Sequence, residues 1–322
     1  MTNSRIAGTG GYLPERIMTN KELETMVETS DEWIQDRSGI KQRHIAAQGE
    51  MTSDMGLKAA LEALDMADID PQEIDLIIVG TTTPDKVFPS TACIIQRQLG
   101  LKGIPAFDLQ AVCSGFVYAL DVANRFITTG GATNALIIGS ETLSRIVDWK
   151  DRGTSVLFGD GAGAIVLSRA DEPGIMTTHI HADGHYEDLL HVPAGVSNGY
   201  KHLQAESAFI QMKGNEVFRK AVGTLGSIAR ETLESSGVRQ DELTWLVPHQ
   251  ANLRIIAAAA KKLNLPMEQV IITVDQHANT SSASIPLALD VAVRDGRIRR
   301  GDLLLLEAFG GGFTWGSALI RY

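Results

Sequence analysis

Ala119–Ala123 reads ALDVA, and the same five residues return at Ala288–Ala292, 169 positions later (119 to 288). An apolar run of strand type follows each copy, and then a glycine-rich stretch: FGDGAGAIVL from Phe158 and FGGGFTWGSALI from Phe309, 151 positions apart (158 to 309). Two matches in the same order predict an internal duplication of helix, strand, glycine turn and strand. The two offsets differ by 18 (169 against 151), so the first copy carries an insertion, which holds Asp148, Lys150 and Arg152. Two similar halves, residues 1–170 and 171–322, are expected to pack face to face with a site between them.

Working outward, the rest of the chain alternates short apolar runs with longer periodic ones. Strands are predicted at Leu76–Val79, Leu136–Ile138, Ala164–Leu167, Leu246–Val247 and Leu303–Leu306. They are apolar throughout, as strands covered on both faces must be. Helical periodicity fills the gaps, for example at Met55–Met66 and Asn252–Leu263. The class is therefore α/β. A chain of 322 residues, 44% apolar and 21% charged, can bury a large core. No run approaches the roughly 18 apolar residues of a membrane span, and no apolar signal segment opens the chain, so a cytoplasmic protein is expected. A net charge of −10 argues against a nucleic-acid partner. Two cysteines are too few for a disulfide framework, which leaves two free thiols.

Cys113 lies in AFDLQAVCSGFVYAL, ahead of Phe116, Leu120, Ala123 and Ile127 at helical spacing. A cysteine at a helix start meets unpaired N–H groups and a dipole that favour thiolate, and the same groups would hold an oxyanion beside the sulfur. A small thiol filling a core gap is the alternative that position alone leaves open. Cys93, inside an amphipathic helix, reads as packing. Two polar constellations follow strand exits in the second half, VPHQANLR with His249 and DQHANTSSAS with Asn279, and His277 competes with His249 as the functional histidine.

AVCSGF, VPHQANLR, HANTSSAS, LLEAFGGGFTWGSA and SDEWIQDRSGI together resemble the β-ketoacyl-acyl carrier protein synthase III family, over the whole chain. The resemblance implies the thiolase fold, with duplicated five-stranded mixed-sheet halves in five layers, and a homodimer. It also implies a decarboxylative condensation of acetyl-CoA with malonyl-acyl carrier protein, without a cofactor or metal. Cys113 would carry the acyl group, His249 and Asn279 would receive the extender, and the N–H groups of Cys113 and Gly311 would form the oxyanion hole. Asn279 stands where elongating relatives have a second histidine, and the second half has no cysteine of the kind a biosynthetic thiolase uses. A secondary-metabolite condensing enzyme with other acyl-CoA primers is the alternative. A cysteine hydrolase would share Cys113 and His249.

The remaining sites follow from the same resemblance. Trp33 and Arg37, four apart after a Ser30 cap, would stack on CoA with help from Arg152. Arg219, Arg254, Lys261 and Lys262 would dock the acidic carrier protein. Phe88, Leu190 and Phe309 would shape the acyl pocket, with Phe88 reaching across the dimer. Two features invite simpler readings. FGDGAG lacks the Lys-Ser/Thr of a phosphate loop and reads as a tight turn. His179 and His181 share a strand face, but zinc needs three or four converging ligands, so no metal is expected.

Overall fold

All five predicted strands and both helices are present in the computed structural model, which describes residues 2–203 and 208–322. In chain order the main strands are β1 (Asn3–Tyr12), β2 (Leu76–Gly80), β3 (Ala106–Leu109), β4 (Asn134–Thr142), β5 (Asp160–Ala170), β6 (Ile175–Ala182), β7 (Trp245–Pro248), β8 (Leu303–Gly310) and β9 (Thr314–Arg321). The helices of eight or more residues are α1 (Asp31–Ser38), α2 (Thr52–Ala67), α3 (Thr91–Gln98), α4 (Gly115–Thr128), α5 (Gly214–Ser236), α6 (Leu253–Lys262) and α7 (Ser284–Arg294).

One sheet has the order β1-β5-β4-β2-β3 and the other β7-β8-β9-β6. Each mixes parallel and antiparallel pairs. The repeat is visible in the register. Val79 pairs with Ile138 in the first sheet and Pro248 with Glu307 in the second, so both members shift by 169 (79 to 248, 138 to 307). The second sheet departs from the expected five strands. Where the first has β3, it has only a parallel bridge from Leu246 to Val270. Gln250 explains the loss, because its buried side chain takes the backbone groups a ladder would use: it donates to Ile271 O and accepts from Thr273 N and Val274 N.

Helices α4 and α7 lie between the sheets. Their apolar faces, Phe116, Leu120, Ala123 and Ile127 on one and Ile285, Ala288, Leu289 and Ala292 on the other, share one core with Ile6, Ile78, Leu304 and Ile320 from both sheets. Helices α2 and α3 cover the outer face of the first sheet, and α5 and α6 that of the second. Five layers result. The glycines of FGDGAG are neither a phosphate loop nor a turn, since Gly161 and Gly163 lie inside β5. A Cβ on Gly163 would come within 2.6 Å of Leu287 N, so this glycine lets α7 press against the strand.

Candidate functional site

Cys113 sits in a single 3-10 turn, Val112–Ser114, that runs directly into α4. Val112 before it has φ +48°, a left-handed conformation that a β-branched residue rarely adopts. The second half repeats the device: Ser281, 169 positions on, has φ +51° and opens the turn that leads into α7. Ser282 therefore occupies the place that Cys113 holds in the first half. Its hydroxyl is committed, donating to Gly80 O at 2.7 Å. Only the first copy offers a nucleophile.

The thiol of Cys113 is buried, and burial pushes it up to about 12 despite an opposing hydrogen bond from Ser281. Desolvation thus opposes the thiolate that a helix start favours. Glu141 adds to the effect with its own charge. That carboxylate stands fully buried near the end of β4, held by Thr82 N and by Thr83 N and Oγ1 on one oxygen and by the Ser281 hydroxyl on the other. Nothing in the letters GSET announced it.

His249 follows β7 and lines the same cavity as Cys113 and Asn279. Burial lowers its pKa to about 3, so it is neutral at physiological pH. Its Nδ1 lies 2.5 Å from the Ser284 hydroxyl, which already accepts from Gln250 N at 3.1 Å. When the hydroxyl donates to Nδ1, the ring proton is on Nε2, the tautomer in which the ring can donate into the cavity. Asn279 is oriented by the same kind of argument. Ser281 N can only donate, and it meets Oδ1 of Asn279 at 2.9 Å, which turns the Nδ2 hydrogens outward. The competing His277 is buried and lines neither this cavity nor the neighbouring one on the far side of Cys113. Ser284 and Ser281 were missed in the sequence because serines at helix starts read as caps.

The cavity, of about 410 Å³, runs from Cys113 to a rim formed by Trp33, Arg37 and Arg254. Ser30 caps α1 by accepting from Trp33 N. Arg152, from the inserted segment, lies over the Trp33 ring at 4.8 Å, and Arg37 approaches it at 6.0 Å. Arg254 packs on Phe218 at 5.2 Å. Lys261, Lys262 and Arg219 are exposed on α6 and α5 and do not line the cavity.

A second cavity, of about 790 Å³, meets the first at Cys113, with Phe158 and Leu190 lining both. Leu143, Ile146, Val192 and Ile210 make it largely apolar, and Gly311 borders it. Phe309 belongs to the first cavity. Gly310 is a close approach that sequence reasoning overlooked: a Cβ there would stand 2.7 Å from Cys113 N. Phe88 is on the surface at 82% exposure beside Val87 at 56%, and Cys93 stands in α3 with its thiol on Ala106 O. No helix among the described residues is long and apolar enough to cross a membrane.

Two family models match the chain. The 3-oxoacyl-(acyl-carrier-protein) synthase III model covers residues 107–184, and the model of that family's C-terminal part covers 233–322. A β-ketoacyl-(acyl-carrier-protein) synthase III of Thioalkalivibrio sulfidiphilus is 64% identical over the full length of both chains. The crystal structure of a 3-oxoacyl-(acyl-carrier-protein) synthase III from Aquifex aeolicus superposes with a TM-score of 0.94 at 50% identity, over 99% of this chain and 100% of that one. The priming β-ketosynthase of the R1128 polyketide pathway superposes with a TM-score of 0.93 at 38% identity, over 99% and 96%.

Proposed function

The chain belongs to the 3-oxoacyl-(acyl-carrier-protein) synthase III family, and from that membership we propose that it joins acetyl-CoA to malonyl-acyl carrier protein in the first condensation of fatty-acid synthesis. The products are acetoacetyl-acyl carrier protein, CO₂ and CoA. The chain is an acyltransferase of the thiolase fold. One observation carries the division of labour: Cys113 shares a cavity with two neutral hydrogen-bond donors, His249 Nε2 and Asn279 Nδ2, rather than with a charged base.

In the first half-reaction the sulfur of Cys113 attacks the acetyl carbonyl, the C–S bond to CoA breaks, and the thiol proton ends on the departing sulfur, so CoA leaves as its thiol. The N–H groups of Cys113 and Gly311 hold the transient oxyanion. Trp33, Arg37 and Arg152 form the CoA rim. In the second, malonyl loses CO₂, and the enolate oxygen is held by His249 and Asn279. The enolate carbon attacks acetyl-Cys113, the C–S bond breaks, and the departing sulfur takes a proton from water to restore the thiol. Every group used is a side chain or backbone amide, so the reading calls for no cofactor beyond the thioester substrates. Residues 1–170 supply the nucleophile and residues 171–322 the donors, with all strands of each sheet falling on one side of that division. The enzyme acts as a homodimer in the cytoplasm, and the exposed apolar pair Val87 and Phe88 supports the dimer.

The test separates donor from base. In His249→Ala and Asn279→Ala, acetyl-Cys113 should still be detected by mass spectrometry, while malonyl decarboxylation falls by about 10²–10³, the usual effect of losing an oxyanion donor. Loss of the acetyl adduct with the histidine would instead make His249 the base for the thiol.

A further inference from the structure

Away from both cavities, the structure gathers three metal-ligand side chains that the sequence kept apart. His179 and His181 project from one face of β6, the edge strand of the second sheet, and Glu231 descends from α5 above them. Their donor atoms all lie within 4.8 Å of one another. His179 Nδ1 stands 3.4 Å from Glu231 Oε1, and His181 Nε2 stands 3.1 Å from that same oxygen. Tetrahedral zinc with bonds of about 2.0–2.2 Å places its ligands about 3.3–3.5 Å apart, so two edges of that polyhedron are already in place. We propose that His179, His181 and Glu231 form a surface site for a borderline divalent cation of the zinc type.

The surroundings prepare the ligands. His179 Nε2 meets Ser235 Oγ at 2.8 Å, a bond that holds the ring and leaves Nδ1 for the metal. His181 stacks on Trp315 with centroids 5.7 Å apart, which fixes its plane. Two imidazoles and one carboxylate suit zinc and its first-row neighbours better than calcium or magnesium, which take oxygen. The fourth position faces solvent, since all three side chains are part-exposed. The expectation of no metal counted only two histidines. The third ligand is fifty positions or more away (181 to 231) and comes from another element.

A cation here would tie the edge strand β6 to α5, whose N-terminal half lines the first cavity through Val217, Phe218 and Ala221. Its role is structural, because no ligand touches either cavity.

The test is calorimetric titration of the full chain, stripped with chelator, with ZnCl₂. The expected result is one Zn²⁺ per chain and a raised Tm. Affinity should fall at least tenfold in His179→Gln, His181→Gln and Glu231→Leu, and should return in Glu231→His, which supplies a third imidazole. Copper titration should quench Trp315 fluorescence in the parent chain and not in His181→Gln. Binding that is absent in the parent, or undiminished in the three variants, would overturn the site and leave Glu231 as an ion-pair partner of the histidines. Acetylation of Cys113 should be the same in all of these variants, so failure here is distinct from failure of the condensing reaction.

Discussion

Cys113 shows how one residue's chemistry depends on its surroundings as well as its place in the chain. Its position before α4 predicts an easily formed thiolate, yet burial raises the thiol to about 12. A raised thiol pKa favours the neutral form at pH 8. Labelling of Cys113 by iodoacetamide should therefore rise roughly tenfold per pH unit between pH 7 and pH 10, followed by mass spectrometry, without levelling off. A plateau near pH 8 would restore the helix-stabilised thiolate. The partners that matter at this scale, Ser281, Ser284, Glu141 and Gly310, were not legible as functional residues. Each is an ordinary cap, strand end or glycine until tertiary packing sets it against Cys113 or His249.

Among the elements, α6 carries the clearest division of roles. Arg254 in its first turn faces the cavity rim, while Lys261 and Lys262 at its far end are exposed, with Arg219 on α5. The face suits an acidic partner, and charge at a rim mainly steers encounter. Arg254 borders the cavity itself, so Arg219→Glu with Lys261→Glu is the cleaner reversal. This pair should raise the KM for malonyl-acyl carrier protein severalfold and leave acetylation of Cys113 by acetyl-CoA unchanged. An equal loss in the two half-reactions would move the face from carrier docking to CoA binding or folding. The inserted segment 143–159 is the other informative element. Its presence was legible from the mismatch of the two repeats, but the sheet register makes the difference 16 rather than 18 (138 to 307 is 169, 164 to 317 is 153), and only the fold shows that it brings Arg152 over Trp33.

For the whole molecule, the two cavities meeting at Cys113 define what a single chain leaves open. The apolar one, bordered by Leu190 and Ile210, is the place we propose for the primer chain. Phe88, exposed at 82%, is the residue proposed to close it from a second copy. Phe88→Ala should raise relative activity on longer acyl-CoA primers, measured across a chain-length series with malonyl-acyl carrier protein. An unchanged profile would remove Phe88 from the pocket. The α/β class and the duplication were determined by the sequence itself, because apolar periodicity and a repeated ALDVA are local facts that survive any packing. The tertiary structure alone decided the rest. Gln250 replaces the ladder of a fifth strand in the second sheet, Ser284 and Ser281 hold His249 and Asn279 in place, and desolvation raises the Cys113 thiol. These outcomes depend on which polar groups share a space without water, and residues far apart in the chain acquire that relation only when the two halves close on each other.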